Sequence, residues 1–242
     1  MKVKLNIYTS KLFSLLSAMS SKPILYGTFT SPTVMAVLIT LKALNIDFEF
    51  REIKPRLQEN LTADYLRKNP AHTVPTLETE EHKFIGDSHA IMTYLVDRYV
   101  KGDSNWYPKD LYRRAKVNEL LHFENGVLFM MCVKQTYGPI FSGLRTNVPD
   151  EKFKEIDEAY DMMERFIGYN KYVAGPHISI ADLSCITSIS SMYFLRPFTE
   201  ETHPKLFDWL GRMKSLPYVQ EVLMSDVQGS TLKFLSKTMS HL

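Results

Sequence analysis

Strand-like patterning ends near Lys101 of this chain and does not return. Before that point, short apolar or alternating runs are interleaved with helical ones. After it, every apolar run repeats at helical spacing. A chain so divided folds as a small mixed α/β unit followed by an all-helical one. The fold class expected is therefore α/β plus all-α.

The first part reads in order. Pro23 to Tyr26 is a short apolar strand that stops at Gly27. Ser31-Pro32 starts a helix, since serine is a favoured N-cap and proline suits the first helical position. Val34, Val37, Leu38, Leu41 and Leu44 then recur on one face, and Asn45 ends the run. Phe48, Phe50 and Ile53 alternate as a strand. A short helix over Leu61 to Lys68 stops before Asn69-Pro70, and strands follow at Thr73 to Leu77 and Lys83 to Ile85. Gly86-Asp87 is a turn, and Ser88 to Tyr99 is a helix. The order βαβ-α-ββ-α is that of a thioredoxin-like domain, here over residues 22–100.

Residues 101–110 form a polar linker ending in Tyr107-Pro108. Residues 111–242 form the helical domain. One long helix is expected from Leu111 to Met131, running on to Tyr137, with Gly138-Pro139 interrupting or kinking it. Further helices are expected over Pro149 to Phe166, Ile180 to Tyr193, Pro204 to Ser215 and from Tyr218 onward. Residues 1–21 carry lysines and serines but no acid; they read as an extension outside the fold, either a weak presequence or a stretch upstream of a second start at Met19.

Charge excludes some functions. Lys and Arg number 29 against 27 Asp and Glu, which leaves no footprint for nucleic acid. No apolar run reaches the roughly 18 residues of a membrane span. The two cysteines, Cys132 and Cys185, have no metal-ligand spacing and suit a reducing compartment, so no metal and a cytoplasmic location are expected.

Three places carry polar groups in patterns that chemistry uses. Ser31 puts a hydroxyl at a helix start. Val74-Pro75 sits where a loop turns into a strand. Asp87-Ser88 puts an acid and a hydroxyl at the start of an apolar helix, a pair suited to an ammonium and a carboxylate. A fourth, Ser179-Ile-Ala-Asp182, is a capping box before an apolar run, with Ile178 and Leu183 placed as a hydrophobic staple. The box accounts for Asp182 without catalysis.

The segments LYGTFTSP, LKALNIDFEF, NPAHTVPTL, DSHAIMTYLVDRY, WYPKD and VAGPHISIADLS, in this order, resemble those of cytosolic glutathione transferases, nearest to the insect epsilon class with delta next. The resemblance runs from about Pro23 to the C-terminus. It implies glutathione as co-substrate, a homodimer, and Ser31 as the hydroxyl that activates the thiol. Asn60, His72, Thr73, Val74, Pro75, Asp87, Ser88 and His89 then bind the tripeptide. A cis Val74-Pro75 bond presents the Val74 backbone to the cysteinyl unit, and Asp87-Ser88 and His89 read the γ-glutamyl end. His72 falls near the cysteinyl-glycine end. Asn60 stands where many epsilon sequences have histidine, and its amide is expected to donate to the glycine carboxylate. Met35 stands where the family commonly has arginine, and is expected to pack.

The family lays the long helix over the active site. Phe129, Val133 and Tyr137 share a face at i, i+4 and i+8. With Pro32, Met130, Cys132 and Phe141 they are the candidate wall of a hydrophobic-substrate site, with Phe234-Leu235 as a closing segment. Conjugation of apolar electrophiles, or elimination of HCl from an organochlorine, is the first functional reading. EAYDMMERF and the stretch Ser190 to Pro204 resemble instead the Noppera-bo branch, tied to ecdysteroid production, whose pocket helix carries an acid that bonds a steroid hydroxyl; Cys132 falls at that position and Glu124 lies two turns earlier. A non-catalytic binder of hydrophobic ligands is the third reading.

Overall fold

The computed structural model describes residues 22–224. The extension at 1–21 and Phe234-Leu235 lie outside the described residues. The described residues divide into two compact units, one of residues 22–28 and 47–87, the other of residues 29–46 and 88–224.

The first unit holds a four-stranded sheet. Its strands are β1 (Ile24–Gly27), β2 (Glu49–Glu52), β3 (Thr76–Glu78) and β4 (Phe84–Gly86), in the order β2-β1-β3-β4. β1 and β2 run parallel, so the chain crosses over between them through α1 (Pro32–Ala43). β3 is antiparallel to β1 and to β4. This is the thioredoxin-like order expected. Leu25 and Leu77 are fully buried and paired in register, which sets the centre of the sheet.

Short 3₁₀ turns at Pro55–Leu57 and Glu59–Leu61 lead into α2 (Ala63–Lys68). The Thr62 hydroxyl caps α2 on the Tyr65 amide. Tyr26 packs as expected: it is buried, gives its hydroxyl proton to Glu78 at 2.7 Å and accepts from Arg51 at 3.0 Å. Burial first, then the Glu78 carboxylate, pushes its phenol up to about 12.

The second unit holds α1, α3 (Ser88–Tyr99), α4 (Leu111–Phe123), α5 (Gln135–Phe141), α6 (Asp150–Ile167), α7 (Ile180–Leu195), α8 (Pro204–Lys214) and α9 (Pro217–Leu223). α7 is buried along nearly its whole length and is flanked by α1, α3, α4 and α8. Asn45 follows α1 in the left-handed region at φ 52°, a conformation asparagine tolerates well.

The long helix departs from expectation. Between α4 and α5 the backbone is a π-helix over Glu124–Lys134, with hydrogen bonds reaching back five residues instead of four. Helix also continues through Gly138-Pro139 to Phe141. The Pro139 carbonyl then accepts from the Leu144 and Arg145 amides, which ends the run. The residues buried along this stretch are Glu124, Leu128, Cys132, Val133, Thr136, Tyr137 and Ile140.

The capping box at Ser179 forms, with the Ser179 amide on Asp182 Oδ2 at 2.9 Å. Asp182 does more than close the box. Its Oδ1 accepts from the Val173 amide at 3.0 Å and from the indole N–H of Trp209 at 2.9 Å. One fully buried carboxyl therefore ties the incoming loop, α7 and α8 together.

Candidate functional site

Each expected residue can be followed from its element upward. Ser31 precedes α1, and its carbonyl accepts from the Met35 amide at 2.9 Å. Its side chain caps no helix amide. The hydroxyl lies instead 2.8 Å from the Thr33 hydroxyl, so it is not consumed by the capping role that serine commonly fills. Pro32 occupies the first helical position. Met35 is buried, packing as expected.

In the first unit, Asn69 organises the loop before β3. Its amide nitrogen donates to the Thr73 carbonyl and to the Thr76 hydroxyl, each at 3.0 Å, and its oxygen accepts from the Ala71 amide. Tyr65 adds a second donor to the Thr73 carbonyl at 2.7 Å. The Val74-Pro75 bond is cis. Thr76 pairs in register with Gly86 and with Tyr26. That register brings Val74-Pro75, the exit of β1 at Gly27 and Asp87 to one end of the sheet. Asp87 is exposed with φ 70°, a left-handed turn that aspartate adopts more readily than most residues. Ser88 follows it as the buried first residue of α3.

Asn60 differs from expectation. Its Nδ2 donates to the His72 carbonyl at 2.7 Å, bracing the same loop. Its buried Oδ1 has no partner. His72 has an exposed side chain and a left-handed φ of 47°. Thr73 takes part through its carbonyl.

His89 is held within the helical unit. Its Nε2 lies 3.0 Å from Glu124 Oε2 and 2.8 Å from Ser184 Oγ. This is a different partner set from a γ-glutamyl group. Sequence reading singled out Glu124 only as an acid two turns from Cys132; nothing local ties it to a histidine in another helix.

The candidate hydrophobic wall divides. Cys132 is buried, with its thiol on the Glu155 carbonyl at 3.7 Å. Burial, then the Glu155 carboxylate, pushes that thiol up to about 12. Val133 is buried, and Tyr137 donates to the Ser191 carbonyl at 2.6 Å while stacking on Phe141. These three are buried within the helical unit. Phe129 and Phe141 are half-buried and Met130 is exposed, so these remain the accessible part of the set. A cavity of about 880 Å³ in the helical unit is lined by Ser190, Tyr193, Phe194, Lys214, Val219 and Met224, among others, and includes none of the expected residues.

Among the described residues no group of His, Cys, Asp and Glu is gathered as a metal site, and no helix is long and apolar enough to cross a membrane.

Comparison with known proteins gives a family. Residues 25–102 match the model for the glutathione S-transferase N-terminal domain, and residues 127–217 match that for the C-terminal domain. Glutathione S-transferase 1 of Manduca sexta is 35% identical over 194 residues, covering 79% of this chain and 88% of that protein. An epsilon-class glutathione S-transferase from the housefly, Musca domestica, superposes with a TM-score of 0.84 at 42% identity, covering 90% of this chain and 98% of that one. A glutathione transferase homolog from Drosophila mojavensis, solved with bound glutathione, gives 0.83 at 40% identity over 90% of this chain and 97% of that one.

Proposed function

The chain belongs to the glutathione S-transferase family, and from that membership we propose that it conjugates glutathione to apolar electrophiles with Ser31 as the activating hydroxyl. The observation that carries this reading is the disposition of Ser31, a hydroxyl at the start of α1 that is not spent on capping. A thiol of pKa about 8.5 is only about 3% ionised at pH 7. A depression of two units requires about 2.7 kcal/mol of preference for the anion. A hydroxyl donor and the amides of a helix N-terminus both act in that direction. If Thr33 donates to Ser31, the Ser31 proton is left to point at the sulfur.

The thiolate then attacks the electrophilic carbon. A C–S bond forms, and the leaving group departs with the bonding pair. The thiol proton has already passed to solvent. No residue is asked to bond the electrophile covalently.

The peptide portion of glutathione is assigned to the loop that Asn69 and Tyr65 brace. Val74 pairs with the cysteinyl backbone as an added strand. Asp87 accepts from the γ-glutamyl ammonium, and Ser88 with the first amides of α3 takes its carboxylate. Pro32, Phe129, Met130 and Phe141 are the residues proposed to meet the electrophile, and a homodimer is the proposed assembly. The steroid reading draws no support from Cys132, which offers neither charge nor a free face.

The test is the ultraviolet absorbance of bound thiolate against pH, for the wild type and Ser31→Ala. A pKa well below that of free glutathione, lost in the variant, is the expected result. An unshifted pKa in the wild type overturns the catalytic assignment.

A further inference from the structure

Ser188 and His89 of the helical unit meet at one buried carboxyl. Glu124, the first residue of the π-helix, is 2% exposed. Its Oε1 accepts from the Ser188 hydroxyl at 2.5 Å. Its Oε2 lies 3.0 Å from His89 Nε2, which also lies 2.8 Å from the Ser184 hydroxyl. The imidazole tautomer with its proton on Nε2 donates to the Glu124 carboxylate, with the Ser184 oxygen sharing the same proton as a second acceptor. Ser184 and Ser188 are one turn apart on α7, so they present their hydroxyls on one side.

Such an arrangement is not what packing alone asks for. A buried carboxyl costs several kcal/mol unless its oxygens are satisfied. A leucine or methionine of similar volume would fill the space without that cost. What the carboxyl adds is direction: each oxygen has one partner, on a different helix. The partner on α3 is His89, the residue directly after Ser88. The carboxyl itself stands where the backbone enters the π-helix that carries Phe129 and Met130.

We infer that Glu124 is a positioning residue for glutathione binding: through His89 it fixes the first turn of α3, the turn that carries Ser88. This rests on the reading of Ser88 given above. His89 is then a coupling between Ser88 and Glu124, not a group that touches the peptide.

The experiment measures KM for glutathione, kcat with a chloronitrobenzene and melting temperature for the wild type, Glu124→Leu, Glu124→Gln and Ser88→Ala. Glu124→Leu is expected to raise the glutathione KM about tenfold, the loss of one buried hydrogen bond to a carboxyl, with kcat at saturation near the wild-type value. Glu124→Gln keeps an acceptor for Ser188 and is expected to raise KM about threefold. If Glu124→Leu does not fold, Glu124→Gln carries the test. A fall in melting temperature and kcat with KM unmoved makes Glu124 merely structural and overturns the inference. If Ser88→Ala raises KM and neither Glu124 variant does, the positioning role alone is overturned. If Ser88→Ala leaves KM unmoved, the assignment of Ser88 falls and the inference falls with it.

Discussion

The hydroxyl of Ser31 lies 2.8 Å from the hydroxyl of Thr33, two residues further along the same helix start. A hydroxyl that receives a hydrogen bond is a better donor of its own proton. Thr33 is therefore expected to strengthen Ser31. Thr33→Val should raise the pKa of bound glutathione by up to about 0.7 unit, because a neutral hydrogen bond contributes about 1 kcal/mol and a full unit needs about 1.4. Thr33→Ser should leave it in place. Thiolate absorbance against pH reads both, and an unmoved pKa in Thr33→Val removes Thr33 from the mechanism.

Gly86 is expected to tolerate no side chain. A β-carbon there would sit 3.1 Å from Asn69 Nδ2 and 3.2 Å from Oδ1. Asn69 is buried and braces the Val74 loop, so it has nowhere to yield. Gly86→Ala should cost about 1–3 kcal/mol in a denaturant titration and weaken glutathione binding as well. Gly126 makes the contrast, since a β-carbon there meets nothing within 4 Å. Gly126→Ala should be neutral or stabilising by up to about 1 kcal/mol. Equal effects at the two positions would contradict this account of Gly86.

Asp182→Ala is expected to be among the most damaging single changes. It strands the amides of Val173 and Ser179 and the indole of Trp209 inside the protein. Breaking a buried set of this kind costs about 3–5 kcal/mol. Loss of under about 1 kcal/mol in equilibrium unfolding would show that water replaces the carboxyl.

The two thiols should be inert in the native protein. Burial raises both; the Glu155 carboxylate adds to it at Cys132, and those of Glu124 and Asp182 at Cys185. Both are neutral at pH 8, and only the thiolate reacts. A chromogenic disulfide reagent is expected to label neither residue until denaturant is added, then both. Prompt labelling of the folded chain would mean that the interior opens around α7 or the π-helix.

Much of this was legible beforehand because it is local. A helix start at Ser31-Pro32, the helix from Ser88 to Tyr99 and the box at Ser179 are each written within a few consecutive residues. Two things were not. Apolar spacing does not distinguish a π-helix from an α-helix over Glu124–Lys134, nor a packed interior from a pocket wall at Cys132, Val133 and Tyr137. Partners of buried polar groups are chosen by tertiary packing; His89 and Ser184, 95 residues apart, share no sequence signal.

α7 is an almost wholly buried rod, and its hydroxyls give it a keyed seat. Ser184 and Ser188 turn their hydroxyls on one flank toward His89 and Glu124, and the Ser191 carbonyl accepts from Tyr137. An apolar cylinder among apolar neighbours can roll about its own axis at small energetic penalty. This one cannot roll by a residue without unseating several buried polar pairs at once. The middle of the helical unit is therefore fixed in rotation as well as in place, and the surfaces built around it inherit that indexing.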